Sequence, residues 1–324
     1  MYVCAGLTVA CIGSFLIATS TIRKKYPHAP VETFGVGDSR NRGRRKHMGF
    51  VLIKGTFHVV GYSPDGDSLK FMATNATHWN KLSGGTVKRN TKGHVQLRFE
   101  GIDTPETHYK GEHQPGIVAN PATDYALQAA GIRNVVWTAN RYRVKSADDG
   151  TPGYILSREA ERYGRPVAFA FAGTTSKTDG SRPFLDTTWL KQSLNYQLVR
   201  AGWAYPTYYE GLFADLREAL TGATLQAWNA WRGVWPYDWT DGVPVVGQAS
   251  ISDEYGLLPK LFRRLTAHFA AGGTVSGFKS YLATHEDRLL VLPNQHFTNL
   301  NALVGVSGNV VSLSKYPENF VFRP

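Results

Sequence analysis

Three short clusters hold residue types able to break a phosphodiester bond. Asp65-Gly-Asp67 closes a turn, Arg98 stands five residues before Asp103-Thr-Pro-Glu106, and Arg162-Tyr-Gly-Arg165 opens a later segment. Cleaving a phosphodiester takes a cation against the phosphate, a group that activates water, and donors for the charge that builds on the equatorial oxygens. The clusters offer one group of each kind. Taken singly, each is ordinary. Asp-Gly-Asp is most often a hairpin turn, Asp-Thr-Pro-Glu can satisfy backbone donors at a helix start, and an arginine on a strand usually faces water. It is the series that carries weight.

These clusters need a frame to bring them together, and the hydrophobic pattern supplies one. Alternating runs at 50–61 and 67–73 flank Ser63-Pro-Asp-Gly-Asp67, a strong turn signal. Further runs at 95–102, 133–146 and 165–172 complete about five strands. A helix is predicted over 121–130, with Asn120 as cap, Pro121 in its first position and Gly131 as its stop. Ser193 can cap a second helix ending at Gly202. A third, over 211–232, carries Leu212, Leu216, Leu220, Ala223 and Ala227 at helical spacing. The class expected is α+β, mainly a five-stranded OB-fold barrel with packed helices, an arrangement common among oligonucleotide binders.

In motif order and most spacings, the series from Asp65-Gly-Asp67 through Arg98, Asp103-Thr-Pro-Glu106 and Arg162-Tyr-Gly-Arg165 to Leu198-Val-Arg-Ala-Gly-Trp-Ala204 and Arg232-Gly-Val-Trp235 resembles the staphylococcal nuclease family. The resemblance covers residues 50–240. It implies a calcium-dependent endonuclease that hydrolyses DNA, RNA or both and leaves 3′-phosphate ends. By position, Asp67, Asp103 and the main-chain carbonyl of Thr104 match the Ca2+ ligands, and Glu106 matches the group that activates or orients water. Arg98 and Arg165 match the two phosphate-gripping arginines. Arg162, where the family often has lysine, Tyr163 and Tyr208 match nucleotide contacts, with Tyr208 ambiguous by one residue in Tyr205-Pro-Thr-Tyr-Tyr209. The chain departs from the family in a longer Asp67–Arg98 segment, whose polar loop 80–93 carries Lys81, Lys88, Arg89 and Lys92, and in the loop 107–120 with His108 and His113. The alternative function is a catalytically silent nucleic-acid or protein binding module of the same fold.

Composition fits a globular protein with a polyanionic partner. Hydrophobic residues make up 42% and charged residues 19%, and the net charge is +11. The charge is uneven, because residues 1–47 hold eight basic and two acidic residues. Cys4 and Cys11 cannot build a disulfide framework or a cysteine zinc site. Three regions follow: 1–47, a leader; 48–240, the nuclease-like domain; 241–324, a small α/β extension without an assigned role. In the leader, residues 2–19 are mostly apolar, with Gly, Ser and Thr interspersed, and uncharged, near the ~18–20 needed to span a bilayer. The basic flank after them would put the rest of the chain on the cytoplasmic side of a membrane. A dispensable leader with translation starting at Met48, which would leave the protein cytoplasmic, and export are the competing readings. In the extension, 257–270 is predicted as an amphipathic helix with Pro259 in its first turn, and 288–292 and 302–313 as strands.

Overall fold

A computed structural model describes residues 49–292 and 294–323. The expected anchor over 2–19 and the basic linker lie outside the described residues, and no described helix is long and apolar enough to cross a membrane. All described residues belong to one compact unit spanning 47–324.

The fold is α+β around a nearly closed, barrel-like sheet. Strands β1 (Val51–His58), β2 (Lys70–Ala73), β3 (Val95–Gln96), β4 (Arg98–Phe99), β5 (Thr151–Ala160) and β6 (Pro166–Ala172) hydrogen-bond in the order β3-β2-β1-β5-β6-β4. All pairs are antiparallel except β6 with β4, where Val167 lies opposite Arg98. The two ends of this path, β3 and β4, are consecutive pieces of one segment joined at Leu97. Strand closure of this kind removes exposed edges. Phe57, Phe71, Phe99, Ile155 and Phe169 are fully buried in the core it encloses.

The structure revises the expected strands. Thr151–Ala160, which sequence patterning passes over, is the long strand between β1 and β6. The run 133–146 forms only a small hairpin of Val136–Trp137 with Val144–Ser146, separate from the barrel sheet. The run 95–102 breaks into short pieces, with Gly101 turning the chain at φ +76° before Ile102–Asp103.

Helix α1 (Gly116–Ala129) begins earlier than predicted, and Pro121 lies in its second turn. Helix α2 (Leu194–Ala201) has the predicted ends. Ser193 accepts the Tyr196 amide at 3.1 Å, and Gly202 leaves the helix at φ +83°. Helix α3 (Ala214–Asn229) buries Leu216, Leu220, Ala223 and Ala227 along one stripe.

The extension packs on these elements. Helix α4 (Pro259–Ala270) starts at Pro259, two residues later than predicted, and β7 (Arg288–Val291) pairs with both β8 (His296–Asn299) and β11 (Phe320–Phe322). A hairpin of β9 (Val304–Ser307) and β10 (Val310–Leu313) lies between β8 and β11 in sequence. Strand β11 also pairs in parallel with Tyr208–Tyr209. A second hydrophobic core joins Leu261, Phe262, Leu265 and Phe320 of the extension to Val118, Tyr205 and Ala227.

Candidate active site

Backbone pairing sets the two acidic clusters side by side. The Phe99 amide donates to the Asp67 carbonyl at 2.9 Å, so the Asp65-Gly-Asp67 turn lies against β4. Ile102–Asp103 pairs with Tyr205–Pro206, which fixes the next turn of the chain. Gly66 lies so close to Thr104 that a Cβ there would come within 2.8 Å of Oγ1, which is why this position suits glycine. Beyond Glu106 the loop closes on itself. Gln114 Oε1 accepts the Glu106 amide at 3.1 Å, and the Gln114 amide donates to the Glu106 carbonyl at 2.8 Å.

Electrostatics report the crowding. Burial raises the Asp65 carboxyl well above its ordinary range, and the charges of Glu106, Asp67 and Asp103 push it the same way. Burial, with Asp103 nearby, lifts Asp67 to about 7 against the pull of Arg98. Burial opposes the charge of Asp103 too, but Arg263 and Arg98 outweigh it and hold the carboxyl low. Arg98 itself lies over the Tyr209 ring, 5.3 Å from its centroid. Burial works against its charge, while Tyr209, Asp103 and Asp67 favour it.

Asp67, Asp103, Thr104, Glu106 and Arg98 therefore meet in one corner. Arg165 stands apart from the carboxylates. It lies one residue before β6, two residues from Val167, the register partner of Arg98. Its Nε donates to Glu161 at 2.5 Å, and it lines a cleft of ≈ 260 Å³ with Lys70, Lys88, Arg89, His94 and Tyr163. Burial lowers the Lys70 ammonium and, with the His58 charge, the His94 imidazole. Arg162 is exposed, stacked on Tyr163 at 4.8 Å and donating to its hydroxyl at 2.8 Å.

Tyr208 does not fit a substrate contact. Its ring is fully buried, its hydroxyl bonds to Thr221 Oγ1 at 2.8 Å and to the Arg217 carbonyl at 3.2 Å, and burial pushes its pKa up. In this two-residue strand alternate side chains take opposite faces, and the one beside Arg98 is Tyr209.

The residue least visible in the sequence is Arg263 of α4. Its Nη1 and Nη2 donate to the two oxygens of Asp103 at 3.0 and 2.6 Å, and Nη1 also donates to Glu106 Oε1. The only hint was an excess of acid in the two motifs, four carboxylates against Arg98. That excess asks for positive charge without naming its source.

The donor set suits a hard cation. Asp67 and Asp103 carry carboxylate oxygens, the Thr104 carbonyl lies in the same turn, and Thr104 Oγ1 is buried there with no hydrogen-bond partner among the described residues. Among the described residues no three His, Cys, Asp or Glu side chains are gathered as a metal site. A set of two carboxylates and one main-chain carbonyl leaves the remaining positions to water and phosphate. The chain matches no protein-family model, and no curated protein matches its sequence.

Proposed function

We propose that this protein is a calcium-dependent nuclease on an OB-fold barrel, hydrolysing phosphodiester bonds of DNA, RNA or both. The observation that carries the reading is the meeting of Asp67, Asp103, Thr104 and Glu106 in one corner with Arg98, whose register partner Val167 lies two residues from Arg165. Asp67, Asp103 and the Thr104 carbonyl would hold the cation. Bound there, Ca2+ supplies positive charge to a non-bridging phosphate oxygen. Glu106 takes or orients the proton of the attacking water. Arg98 and Arg165 donate paired N–H groups to the equatorial oxygens, which gain charge as the new bond forms. Arg165 has to leave Glu161 to do so. The cleft beside Arg165, with Lys70, Lys88, Arg89 and the exposed Tyr163 ring, supports a polyanionic strand with bases that can stack. In line with the family it resembles, the products are expected to carry 3′-phosphates.

A silent binding module is favoured by one observation: Asp103 and Glu106 are already engaged by Arg263. Incubating the purified chain with plasmid, single-stranded DNA or RNA in millimolar calcium separates the two readings. The nuclease reading expects cleavage that EDTA stops. It also expects Arg98→Ala and Glu106→Ala to lose about 100-fold or more in rate, on the order of 3 kcal/mol for one well-placed transition-state group. Parental rates in both variants, with melting curves unchanged, would end that reading.

A further inference from the structure

Arg263 reaches the carboxylate cluster from an element that lies outside the motif series. Its side chain is 19% exposed and that of Asp103 only 1%. The planar fork spans both Asp103 oxygens and still donates to Glu106, so one guanidinium neutralises two of the four clustered acids.

Helix α4 is pinned so that this residue stays in place. Its neighbour Arg264 donates twice to Asp287, at 2.6 Å each, and Lys260 adds a third contact to the same carboxylate at 2.8 Å. At the start of α4, the Leu257 carbonyl accepts from Gln114 Nε2 at 2.7 Å, and the Gln114 side chain also receives the Glu106 amide. The extension thus grips the acidic loop at three points: Leu257 on Gln114, Arg263 on Asp103 and Glu106, and Ser252, whose hydroxyl donates to Glu112 at 3.2 Å.

We propose that Arg263 is the internal cation of the carboxylate cluster. It competes with a divalent cation for Asp103 and Glu106, so that residues 241–324 set the cation affinity of the site. The inference rests on the divalent-cation reading above. Two positive centres drawn to one carboxylate repel each other, and a guanidinium never relieves that repulsion by losing its proton. Among the described residues Arg263 hydrogen-bonds Asp103 and Glu106 and makes no such bond to Asp65 or Asp67. A cation approaching from the Asp67 side meets carboxylate oxygens that Arg263 does not hold. To take Asp103 as well, it must win oxygens from Arg263.

Calcium titration of the full chain by isothermal calorimetry, without nucleic acid, tests this directly. R263Q removes the competing charge and keeps a polar side chain, and it is expected to bind calcium about tenfold more tightly than the parent. R263K keeps a charge without the paired fork and is expected to return toward parental affinity. Unchanged or weaker binding by a folded R263Q overturns the inference. Should R263Q fail to fold, the parent still decides the matter. The Nε–Hε NMR signal of Arg263, assigned against R263K, must move on calcium saturation, and a stationary signal overturns the inference. A parent that binds calcium and cleaves, alongside an R263Q no tighter than itself, sinks the competition alone. No calcium uptake by either protein removes the cation reading and the competition with it.

Discussion

An arginine set over an aromatic ring and favoured by the charge of two nearby carboxylates is steadied in place as well as in charge, and that is the situation of Arg98 above Tyr209. The ring face contributes about 0.5–2 kcal/mol to such a pair, depending on how much water it excludes. Tyr209→Phe keeps the face, so its kcat should stay within about twofold of the parent. Tyr209→Leu removes the face, and kcat should fall about fivefold, the rate equivalent of roughly 1 kcal/mol. Steady-state cleavage kinetics in calcium would measure both, and a Leu variant with parental kcat would show that the ring does not position Arg98. The neighbouring tyrosine should behave in the opposite way. Tyr208→Phe strips a buried hydroxyl from Thr221 and the Arg217 carbonyl. It should cost about 1–2 kcal/mol of stability in a thermal melt and leave cleavage unchanged. Two adjacent residues of one type would then separate into a functional and a packing role, a distinction that spacing alone left ambiguous by one position.

At the scale of elements, the inserted segment between β2 and β3 does more than lengthen a connection. Ser83–Gly84 pairs in parallel with the end of β5, and the Lys88 amide donates to the Gly164 carbonyl at 2.9 Å, which lays Lys88 and Arg89 beside Arg165. If this cleft carries strand phosphates, each contact releases counterions and steepens the salt dependence by about 0.7 per phosphate for a single strand. The Lys88→Ala/Arg89→Ala double variant should therefore bind single-stranded DNA more weakly in EDTA, with a log K against log salt slope shallower by about 1–1.5. Fluorescence anisotropy at several salt concentrations reads this, and an unchanged slope would take the cleft off the substrate path. Other elements were legible because their signals are local. Ser193 and Gly202 bound α2, Pro259 opens α4, and the Pro-Asp-Gly turn separates β1 from β2. Strand β5 was not legible. Its Pro152-Gly153 start reads as a turn and Arg158-Glu159 breaks the apolar run, yet the site demands glycine. A Cβ on Gly153 would come within 2.2 Å of the Phe57 ring and 2.8 Å of the Phe171 carbonyl. Packing from both neighbouring strands made the strand, and local propensity could not announce it. Helix α1 hid its start for a related reason, since Pro121 reads as a first position but lies in the second turn.

Across the whole molecule, the extension and the barrel each hold buried charge, and this gives stability a pH signature with two opposed limbs. Asp287, which anchors α4 through Arg264 and Lys260, is held down to about 2, because those partners outweigh burial. Its folded value lies below the ordinary ~3.9 of an unfolded aspartate. Its stabilisation is therefore complete above pH 4 and disappears as pH falls from about 4 toward 2. Glu318, beside β11, and Glu100, beside β4, act in the other direction. Burial lifts each to about 7, so the folded protein holds protons that the unfolded chain has released. Their contribution is complete below about pH 4 and is lost as pH rises through 7. Thermal melts in EDTA should therefore peak near pH 4–5 and decline on both sides. Glu318→Gln keeps the shape and removes the charge, so it should make the limb between pH 5 and 8 shallower, with Glu100 still contributing, and raise the melting temperature at pH 8 by several degrees. That rise corresponds to about 1–3 kcal/mol at roughly 1.4 kcal/mol per pKa unit. Asp287→Asn should instead shrink the acid limb, to which the low carboxyl of Asp103 also contributes, and lower stability at neutral pH, because it strands Arg264 and Lys260 without their carboxylate. The joint between extension and barrel is where these measurements acquire functional meaning. An Asp287→Asn chain that melts earlier should also hold Arg263 less firmly on Asp103, and its calcium affinity should shift toward that of R263Q even where the barrel remains folded. A chain that loses stability but keeps parental calcium affinity would show that α4 holds Arg263 without help from Asp287.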